Sequence, residues 1–203
     1  MLKQVALIAL MGMSASAMAG QWQVKVGGSV MAPTQNTNVA GVGVVEADNE
    51  LAFTPSVEYF FNDNFSAELL LATPISHSIS INGAEAVKIK HLPPTLTAKY
   101  NFKNSTGFTP YVGVGVTAFI PWDEEGVEKV KEDYGYAAQV GMNFQPADAK
   151  NWGVFLDVRY ADLNPEVTVN SNTKFKLDID PVIYTLGYKY QLKSKHVFIT
   201  KTL

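Results

Sequence analysis

Cysteine is absent from this chain of 203 residues, so disulfide bonds and thiolate metal sites are excluded. Charged residues are scarce, at 17% of the chain, whereas a soluble domain typically has about 25%. The net charge of −3 gives no reason to expect a nucleic-acid partner. After the N-terminal region there is no run of about 18 apolar residues, so no helix of the mature chain is expected to span a membrane.

The N-terminal segment MLKQVALIALMGMSASAMAG has the features of an export signal. A basic Lys3 precedes an apolar run from Val5 to Met13, and Ala17-Met18-Ala19 is the small-x-small pattern at which signal peptides are cleaved. We therefore predict a signal peptide over residues 1–19, cleavage after Ala19, and an exported protein.

Alternation of apolar and polar residues, the period of a half-buried strand, recurs through the rest of the chain. It predicts eight strands: Trp22–Ala32, Leu51–Phe61, Phe65–Thr73, Thr95–Phe102, Phe108–Ala118, Tyr134–Phe144, Trp152–Asp162 and Phe175–Tyr190. The three connections at 62–64, 103–107 and 145–151 are short and rich in turn formers. The four near residues 33–50, 74–94, 119–133 and 163–174 are long.

Short turns that alternate with long loops, around an even number of strands, are typical of outer-membrane barrels. The predicted fold is therefore an all-β, eight-stranded antiparallel transmembrane β-barrel over residues 20–190, with short periplasmic turns and long extracellular loops. The predicted location is the outer membrane of a Gram-negative bacterium. Residues 191–203 form a C-terminal extension to which no role is assigned.

Each predicted strand has one apolar or aromatic face and one face with charged and small residues. In the fourth strand, for example, Leu96, Ala98 and Tyr100 share one face and Lys99 lies on the other. A barrel in lipid turns the apolar face outward and a barrel in water turns it inward. The alternation of residues along a strand (its parity) therefore does not distinguish a membrane barrel from a soluble one. The export signal, the aromatic residues near strand ends and the alternating loop lengths favour lipid over a soluble lipocalin-like barrel.

Seven charged residues, four cations and three carboxylates, fall on the face opposite the apolar one. They are Lys25, Glu58, Glu68, Lys99, Asp157, Arg159 and Lys189. The interior of an eight-stranded barrel is about filled by side chains, and unpaired buried charges are costly. We therefore predict that these residues pair to form a polar plug in the lumen. A smaller cavity is expected nearer the long loops, and a wide aqueous pore is not.

Several segments resemble the OmpW family of outer-membrane proteins. The resemblance runs from about Trp22 to Tyr190 and is carried by AELLLATP (Ala67–Pro74), HLPPTLTAKYNF (His91–Phe102), PYVGVGV (Pro110–Val116), YGYAAQVGMNF (Tyr134–Phe144) and DPVIYTLGYKY (Asp180–Tyr190). It implies an eight-stranded barrel with a hydrophobic lumen. It also implies passage of small hydrophobic compounds across the outer membrane, with a lateral exit through the wall.

Prolines flank the third and fourth predicted strands. Pro74 ends the third strand and Pro93 and Pro94 precede the fourth, so all three are expected at the rim beside the long loops. Each lacks the N–H that a ladder hydrogen bond requires. One interpretation is that backbone hydrogen bonding between these two strands is incomplete at the rim. An apolar molecule would then leave the lumen sideways into lipid through this part of the wall. The alternative is that the prolines only cap strands and blunt sheet edges.

The predicted function is passive uptake of small hydrophobic molecules, driven by burial of apolar surface. The predicted path consists of loop and rim side chains, namely Leu51, Phe53, Leu70, Ile75, Leu92, Phe119 and Trp122. Such passage needs no covalent step, so we expect no enzyme activity, cofactor or metal, and outer-membrane lipid is the surrounding medium. The alternative is a structural or adhesive barrel with a closed lumen and partner-binding loops.

Two features depart from the family pattern. Arg159 stands beside Asp157 where the family often has an aromatic or apolar residue, which predicts a more polar lumen or an ion pair. A tail, QLKSKHVFITKTL, follows Tyr190, the aromatic residue expected to end the last strand. His77 and His91 suggest a lipid-hydrolysing triad or a metal site. Sequence proximity is not geometry, however, and further metal ligands are lacking, so neither is assigned.

Overall fold

The computed structural model describes residues 21–34, 37–39, 43–47, 49–73, 75–81, 84–125, 128–170 and 173–192. Its strands, in chain order, are β1 (Gln21–Ala32), β2 (Thr37–Val39), β3 (Gly43–Ala47), β4 (Glu50–Phe60), β5 (Phe65–Leu70), β6 (Ile75–Ile81), β7 (Ala84–Leu92), β8 (Thr95–Asn101), β9 (Phe108–Glu125), β10 (Lys129–Val130), β11 (Asp133–Phe144), β12 (Trp152–Ala161), β13 (Glu166–Asn170), β14 (Thr173–Lys176) and β15 (Val182–Leu192). A helix long and apolar enough to cross a membrane does not occur within these ranges.

Eight of the strands close into an antiparallel barrel in the order β1-β4-β5-β8-β9-β11-β12-β15. The barrel closes because β15 pairs with both β12 and β1, and β11 pairs with β9. At one end, which we call the short-turn end, brief turns join β4 to β5, β8 to β9 and β11 to β12. The other end, the loop end, holds the four long connections. The predicted closed eight-stranded antiparallel barrel is confirmed.

The long connections contain strands of their own, which the sequence analysis treated as loops. The end of β9 continues past the barrel and pairs with β7, which pairs in turn with β6. Strand β6 also pairs with β3, and β3 with β2. Separately, β10, β13 and β14 form a three-stranded sheet, here called the loop sheet. The loop end is therefore built largely from extended backbone.

The last predicted strand, Phe175–Tyr190, is wrong as a single element. β14 ends at Lys176 and β15 begins only at Val182. Two residues explain the break: Asp180 has a φ of 39°, which a strand does not adopt, and Pro181 has no N–H to give to a ladder. Strand β15 also continues to Leu192, where it pairs with Trp22, so the ladder passes Tyr190.

The barrel has a polar inside and an apolar outside. Along β8 the residues alternate, with Lys99 only 2% exposed and Leu96 51% exposed. Elsewhere Tyr136 is 75% exposed and Val114 68% exposed on the outer surface. Such a surface in water would be a large exposed apolar patch, whereas in a bilayer it is the expected lipid-facing band. Paired rings near the short-turn end, such as Phe108 and Phe144 with centroids 4.6 Å apart, border that band.

Candidate functional site: the barrel lumen and its loop-end wall

Four buried charges meet in the middle of the lumen, and we call them the lumen network: Lys25, Glu58, Glu68 and Lys99. The Lys25 ammonium lies 2.9 Å from Glu58 and 3.3 Å from Glu68. The Lys99 ammonium lies 3.0 Å from Glu58 and 2.7 Å from Glu68. Each cation therefore contacts both carboxylates. The four neighbouring strands β1, β4, β5 and β8 are tied together through their interior.

Two aromatic rings pack against this network. The Lys99 ammonium lies 3.9 Å from the centre of the Tyr111 ring, close enough for a cation–π contact. The Lys25 ammonium lies 5.1 Å from the centre of the Phe155 ring. Tyr111 also donates a hydrogen bond of 2.9 Å to Asp157 on the far wall. These rings cross a narrow interior, so together with the network they fill its middle.

The rings fit because glycines lie directly opposite them on the neighbouring strands, Gly141 beside Tyr111 and Gly187 beside Phe155. A Cβ on Gly141 would lie 2.5 Å from the Tyr111 hydroxyl oxygen, and one on Gly187 would lie 2.8 Å from the Phe155 ring. Contacts that short do not occur between real side chains, so any larger residue would displace a ring. Glycine is required at these two positions by close approach.

The three remaining charges of the predicted plug lie on β12 and β15. The Arg159 guanidinium is 3.5 Å from Asp157 and 3.7 Å from Glu68, longer than good hydrogen bonds. Lys189 is half-buried and lies beside Lys25 in the β1–β15 register. All seven predicted charges therefore point into the lumen. Their role as a functional plug stays a prediction.

Hydroxyl groups form the next layer towards the loop end. Ser29 contacts Thr54 at 2.6 Å and Thr185 at 2.7 Å, and Thr95 contacts Thr117 at 2.9 Å. Beyond this layer the lumen turns apolar, with a cluster formed by Met31, Ala52, Ala72 and Ile183. The polarity of the lumen thus changes from ionic to hydroxyl to hydrocarbon along its axis.

A small hollow, which we call the inner cavity, lies in the apolar part. Its volume is about 10 Å³, roughly enough for one water molecule. It is lined by Met31, Pro93, Thr95, Thr117, Phe119, Ala161, Leu163, Ile179, Pro181 and Ile183. A cavity nearer the long loops was expected from the sequence, and this one lies there.

The wall beside the inner cavity is interrupted between β5 and β8. Pairing of these strands ends at Leu70 and Thr95, and extended pairing resumes only at Ile75 and His91, between β6 and β7. Within the described residues 71–73 and 93–94, no backbone hydrogen bond crosses this interval. The N–H groups of residues 71 and 73 instead donate to carbonyls of β4.

Pro93 occupies the position that breaks the ladder. N–H groups alternate in direction along an antiparallel strand. Asn101 of β8 donates towards β5 at its short-turn end, so odd-numbered positions of this segment face β5. Extending the β5–β8 register by two residues would set Pro93 opposite Ala72, where proline has no N–H to offer. Pro94 instead faces β9, and its carbonyl accepts the Ala118 N–H at 3.0 Å.

An open depression on the lipid-facing surface, the outer groove, lies over β8, β9 and β11 and reaches the edge of the interrupted wall at Leu69 and Pro94. It is lined by Leu69, Pro94, Leu96, Val116, Thr117, Ala118, Tyr134, Gly135 and Tyr136. The inner cavity and the outer groove share Thr117, and they contact successive residues, Pro93 and Pro94. The wall between lumen and lipid is therefore about one residue thick at this point.

The predicted path residues divide into three groups. Phe119 and Leu70 are buried on the inner face, at 1% and 6% exposure. Leu51 and Phe53 lie on the outer face, because Ala52 between them points inward, and their part in the path stays a prediction. The side chains of Ile75, Leu92 and Trp122 lie outside the part that the structure describes, as does the whole of Pro74.

The loop sheet places an apolar surface inward at the loop end. Val130, Val167 and Leu177 are each 3% exposed or less. Towards solvent, Lys131 and Glu166 form an ion pair of 2.6 Å. The hydrogen bond from Lys131 lowers the pKa of Glu166, although the pair is exposed and contributes little to stability. The loop sheet is thus amphipathic.

Sequence reasoning did not find the loop residues that line the inner cavity. These residues, Leu163, Ile179 and Pro181, lie between strands. In such segments no alternation of apolar and polar residues identifies the inward-facing positions. Tyr111 and Phe155 could be assigned to the inner face by parity, but their packing on Lys99 and Lys25 depends on the register between strands, which parity does not supply. A clue was nevertheless present, since glycines recur on the strands that face these rings.

Comparisons with known proteins agree with the observed fold. The OmpW family model matches residues 18–192. Outer membrane protein W of Vibrio cholerae is 32% identical over 200 residues, a match that covers 84% of this chain and 89% of that protein. The crystal structure of OprG from Pseudomonas aeruginosa superposes with a TM-score of 0.75, at 23% identity, and covers 87% of this chain and 98% of that one. The solution structure of the E. coli outer membrane protein W superposes with a TM-score of 0.62, at 26% identity. That match covers 87% of this chain and 100% of the other.

Proposed function

The chain belongs to the OmpW family of outer-membrane proteins, and we propose that it carries small hydrophobic molecules from outside the cell into the membrane through its wall. The family resemblance found in the sequence is confirmed, as is location in the Gram-negative outer membrane. The loop end is then extracellular and the short-turn end periplasmic. The ligand enters at the loop end and leaves sideways between β5 and β8.

The observation that supports this route is the interrupted wall between β5 and β8, which adjoins the inner cavity at Pro93 and the outer groove at Leu69 and Pro94. Opening an intact ladder would break backbone hydrogen bonds, each of which contributes about 0.5–1.5 kcal/mol to stability. Between residues 71–73 and 93–94 there is no such bond to break among the described residues. Displacement of this wall is therefore less costly than displacement of a fully paired one.

The lumen itself directs a ligand to that wall. An apolar molecule in the inner cavity meets the hydroxyl layer and then the lumen network on the short-turn side. Movement of the ligand further towards the short-turn end would place its hydrocarbon against paired charges, which is unfavourable. On the other side of Pro93 and Pro94, the outer groove offers an apolar surface. Transfer of about 200 Å² of ligand surface from water to such a medium contributes roughly 5 kcal/mol.

The chemistry of this passage is partitioning between water, protein and lipid. The inner cavity holds about 10 Å³, so the loop end must move to admit a ligand. The proposal therefore combines a closed resting state with an opening near Pro93. No bond is made or broken in the ligand, and no catalytic group takes part.

Uptake of labelled methyl octanoate into vesicles tests the proposal. The outer leaflet of the vesicles should contain lipopolysaccharide, because apolar esters cross a phospholipid bilayer unaided. Pro93→Ala restores the N–H that faces Ala72, so we expect at least a severalfold fall in uptake by the refolded barrel. Pro94→Ala is the matched variant, because its new N–H would face β9, and we expect a smaller fall.

Two results would contradict the proposed route. The first is equal uptake by the wild-type protein and by Pro93→Ala, with both shown to be folded. The second is an equal loss of uptake in Pro93→Ala and in Pro110→Ala, since Pro110 lies at the short-turn end of β9, away from the interrupted wall. An effect at both prolines would mean that the barrel is generally disturbed.

A structural or adhesive barrel is the second candidate. It is favoured by the network, the rings and the hydroxyl layer, which occupy the described part of the lumen on the short-turn side of the inner cavity. In that case the loop end binds a partner. Uptake no greater than that of empty vesicles, with the barrel correctly folded, would favour this second function.

A further inference from the structure

We propose that Arg159 and Gln139 form a head-group subsite in the lumen that binds the carboxylate of an otherwise apolar ligand, such as a medium-chain fatty acid. This inference rests on the proposed function, because it names a class of hydrophobic molecule that the same lumen receives. It concerns polar atoms that neither the lumen network nor the wall uses.

The two side chains lie next to each other and are incompletely paired. Gln139 and Arg159 are directly opposite in the β11–β12 register, and each is only 2% exposed. Neither amide atom of Gln139, nor Nη1 of Arg159, has a hydrogen-bond partner in the structure. Buried polar groups without partners are unfavourable and rare in native proteins. The two donors among these atoms, Arg159 Nη1 and Gln139 Nε2, therefore lack an acceptor.

Small side chains connect this pair to the inner cavity. The next inward positions towards the loop end are Ala137 on β11 and Ala161 on β12, which also face each other in register. Ala161 lines the inner cavity, and so does Ile183, the β15 neighbour of Arg159. A ligand held in the apolar part of the lumen thus has its polar end directed to Arg159 and Gln139.

The donors present match a carboxylate. Arg159 Nη1 and Gln139 Nε2 both offer N–H groups, and a guanidinium binds planar carboxylates with charge-assisted hydrogen bonds. The existing contacts of Arg159 with Asp157 and Glu68, at 3.5 and 3.7 Å, leave it incompletely neutralised. The lumen charges comprise four cations and three carboxylates, so one bound carboxylate balances them.

The tail of the ligand fits the other half of the site. Met31, Phe119 and Ile183 surround the inner cavity with hydrocarbon. A free fatty acid would place its chain among these residues, beside the interrupted wall, and its head beyond them. The corresponding methyl ester has the same chain and no negative charge, so comparison of the two isolates the head-group subsite.

The test is a binding titration on the refolded, full-length barrel in lipid nanodiscs at pH 8. The probes are octanoate labelled with ¹³C at its carboxyl carbon and methyl octanoate. We expect octanoate to bind at least about tenfold more tightly than the ester, as a charge-assisted hydrogen bond in a buried site would give. Its carboxyl resonance should shift on binding.

Three variants locate the effect. Arg159→Met should reduce the preference for octanoate to about twofold or less, and Gln139→Met should reduce it about threefold. Gln139 lies outside the lumen network, so its variant keeps the test valid if Arg159→Met does not fold. Asn143→Leu is the control, because Asn143 has an unpartnered Oδ1 on the same strand but nearer the short-turn end. It should leave the preference unchanged.

The possible outcomes separate this inference from the proposed function. Equal binding of ester and acid by the wild type, with uptake of the ester intact, overturns the subsite and leaves the proposed function standing. A preference for octanoate that survives in both Met variants overturns it as well. Failure of the ester to bind or to be taken up removes the proposed function, and with it the subsite.

Discussion

The middle of the lumen and the loop-end wall between β5 and β8 are made by neighbouring parts of the same strands, yet they differ in what holds them together. In the middle, four buried charges link four strands, and two rings fill the remaining space. At the wall, backbone pairing stops after Leu70 and Thr95, and a proline occupies the next position that faces β5.

In the proposed function, this difference would separate closure along the barrel axis from opening through the wall. An axial path through the middle would have to separate buried charges. The wall lacks ladder bonds over a short interval among the described residues, so displacing it would not carry that cost. The proposed plug and the proposed lateral route thus depend on different kinds of interaction, namely ion pairs and backbone hydrogen bonds.

The largest loss of stability is expected when the lumen network is broken at Glu68. Glu68→Ala removes a carboxylate that contacts both Lys25 and Lys99, and leaves two buried cations with one partner. We expect a loss of about 3–5 kcal/mol in the free energy of unfolding, measured by urea titration in detergent. The exposed Glu132→Ala should change it by less than about 0.5 kcal/mol. A similar small change at Glu68 would show that the network does not hold the middle together.

A smaller loss is expected when the rings are displaced. Gly141→Ala would place a Cβ 2.5 Å from the Tyr111 hydroxyl, so the ring must move away from Lys99 or Asp157. Overpacking of this kind costs about 1–3 kcal/mol. Gly28→Ala is the control, because no atom lies within 4 Å of its Cβ position. Equal unfolding free energies for the two variants would mean that the middle is loosely packed.

Hydrogen exchange compares the two regions directly. Glu68 and Ala72 are both buried, and their N–H groups both face β8, but only Glu68 has a paired partner there. We expect the Ala72 amide to exchange at least about tenfold faster than that of Glu68, since local opening at the wall breaks no ladder bond. The measurement is amide exchange by NMR in micelles. Pro93→Ala should reduce the difference, and equal protection in the wild-type protein would argue for an intact wall.

The sequence predicted the middle better than the wall because the two depend on different information. Period-two alternation places Lys25 and Glu68 on the face opposite the apolar one without any knowledge of the partner strand, and the preference for lipid over water turns that face inward. Contacts such as Lys99 with Tyr111 also require the register between strands, which alternation does not supply. At the loop end, alternation in ISHSISI (Ile75–Ile81) was available, but residues 74–94 were interpreted as one long connection.

One error had a visible cause in the sequence. Pro181 lies inside the predicted strand Phe175–Tyr190, and it should have divided that strand, because proline is confined to strand ends, edges and bulges. The inner cavity was harder to predict, because Leu163 and Ile179 come from segments without a period.

The smallest change in stability is expected for a substitution of Asp180, at the loop end. Burial, together with the nearby carboxylates of Asp162 and Asp178, raises the pKa of Asp180, whose side chain accepts a hydrogen bond from the Leu163 N–H. A carboxyl whose folded-state pKa is raised binds protons more tightly in the folded state. Its contribution to stability is therefore present at low pH and is lost as pH rises through the folded-state pKa.

Asp180→Asn keeps an acceptor for Leu163 and removes the charge. Because Asp180 is only partly buried and its interactions are screened by solvent, we expect a gain of only a few tenths of a kcal/mol at pH 8 and none at low pH, where the wild-type carboxyl is protonated. Thermal unfolding at the two pH values measures it. A gain of equal size at both would mean that charge repulsion is not its source. A loss at pH 8 would mean that the carboxylate stabilises the loop end, which would then resemble the middle of the lumen in depending on ionised groups.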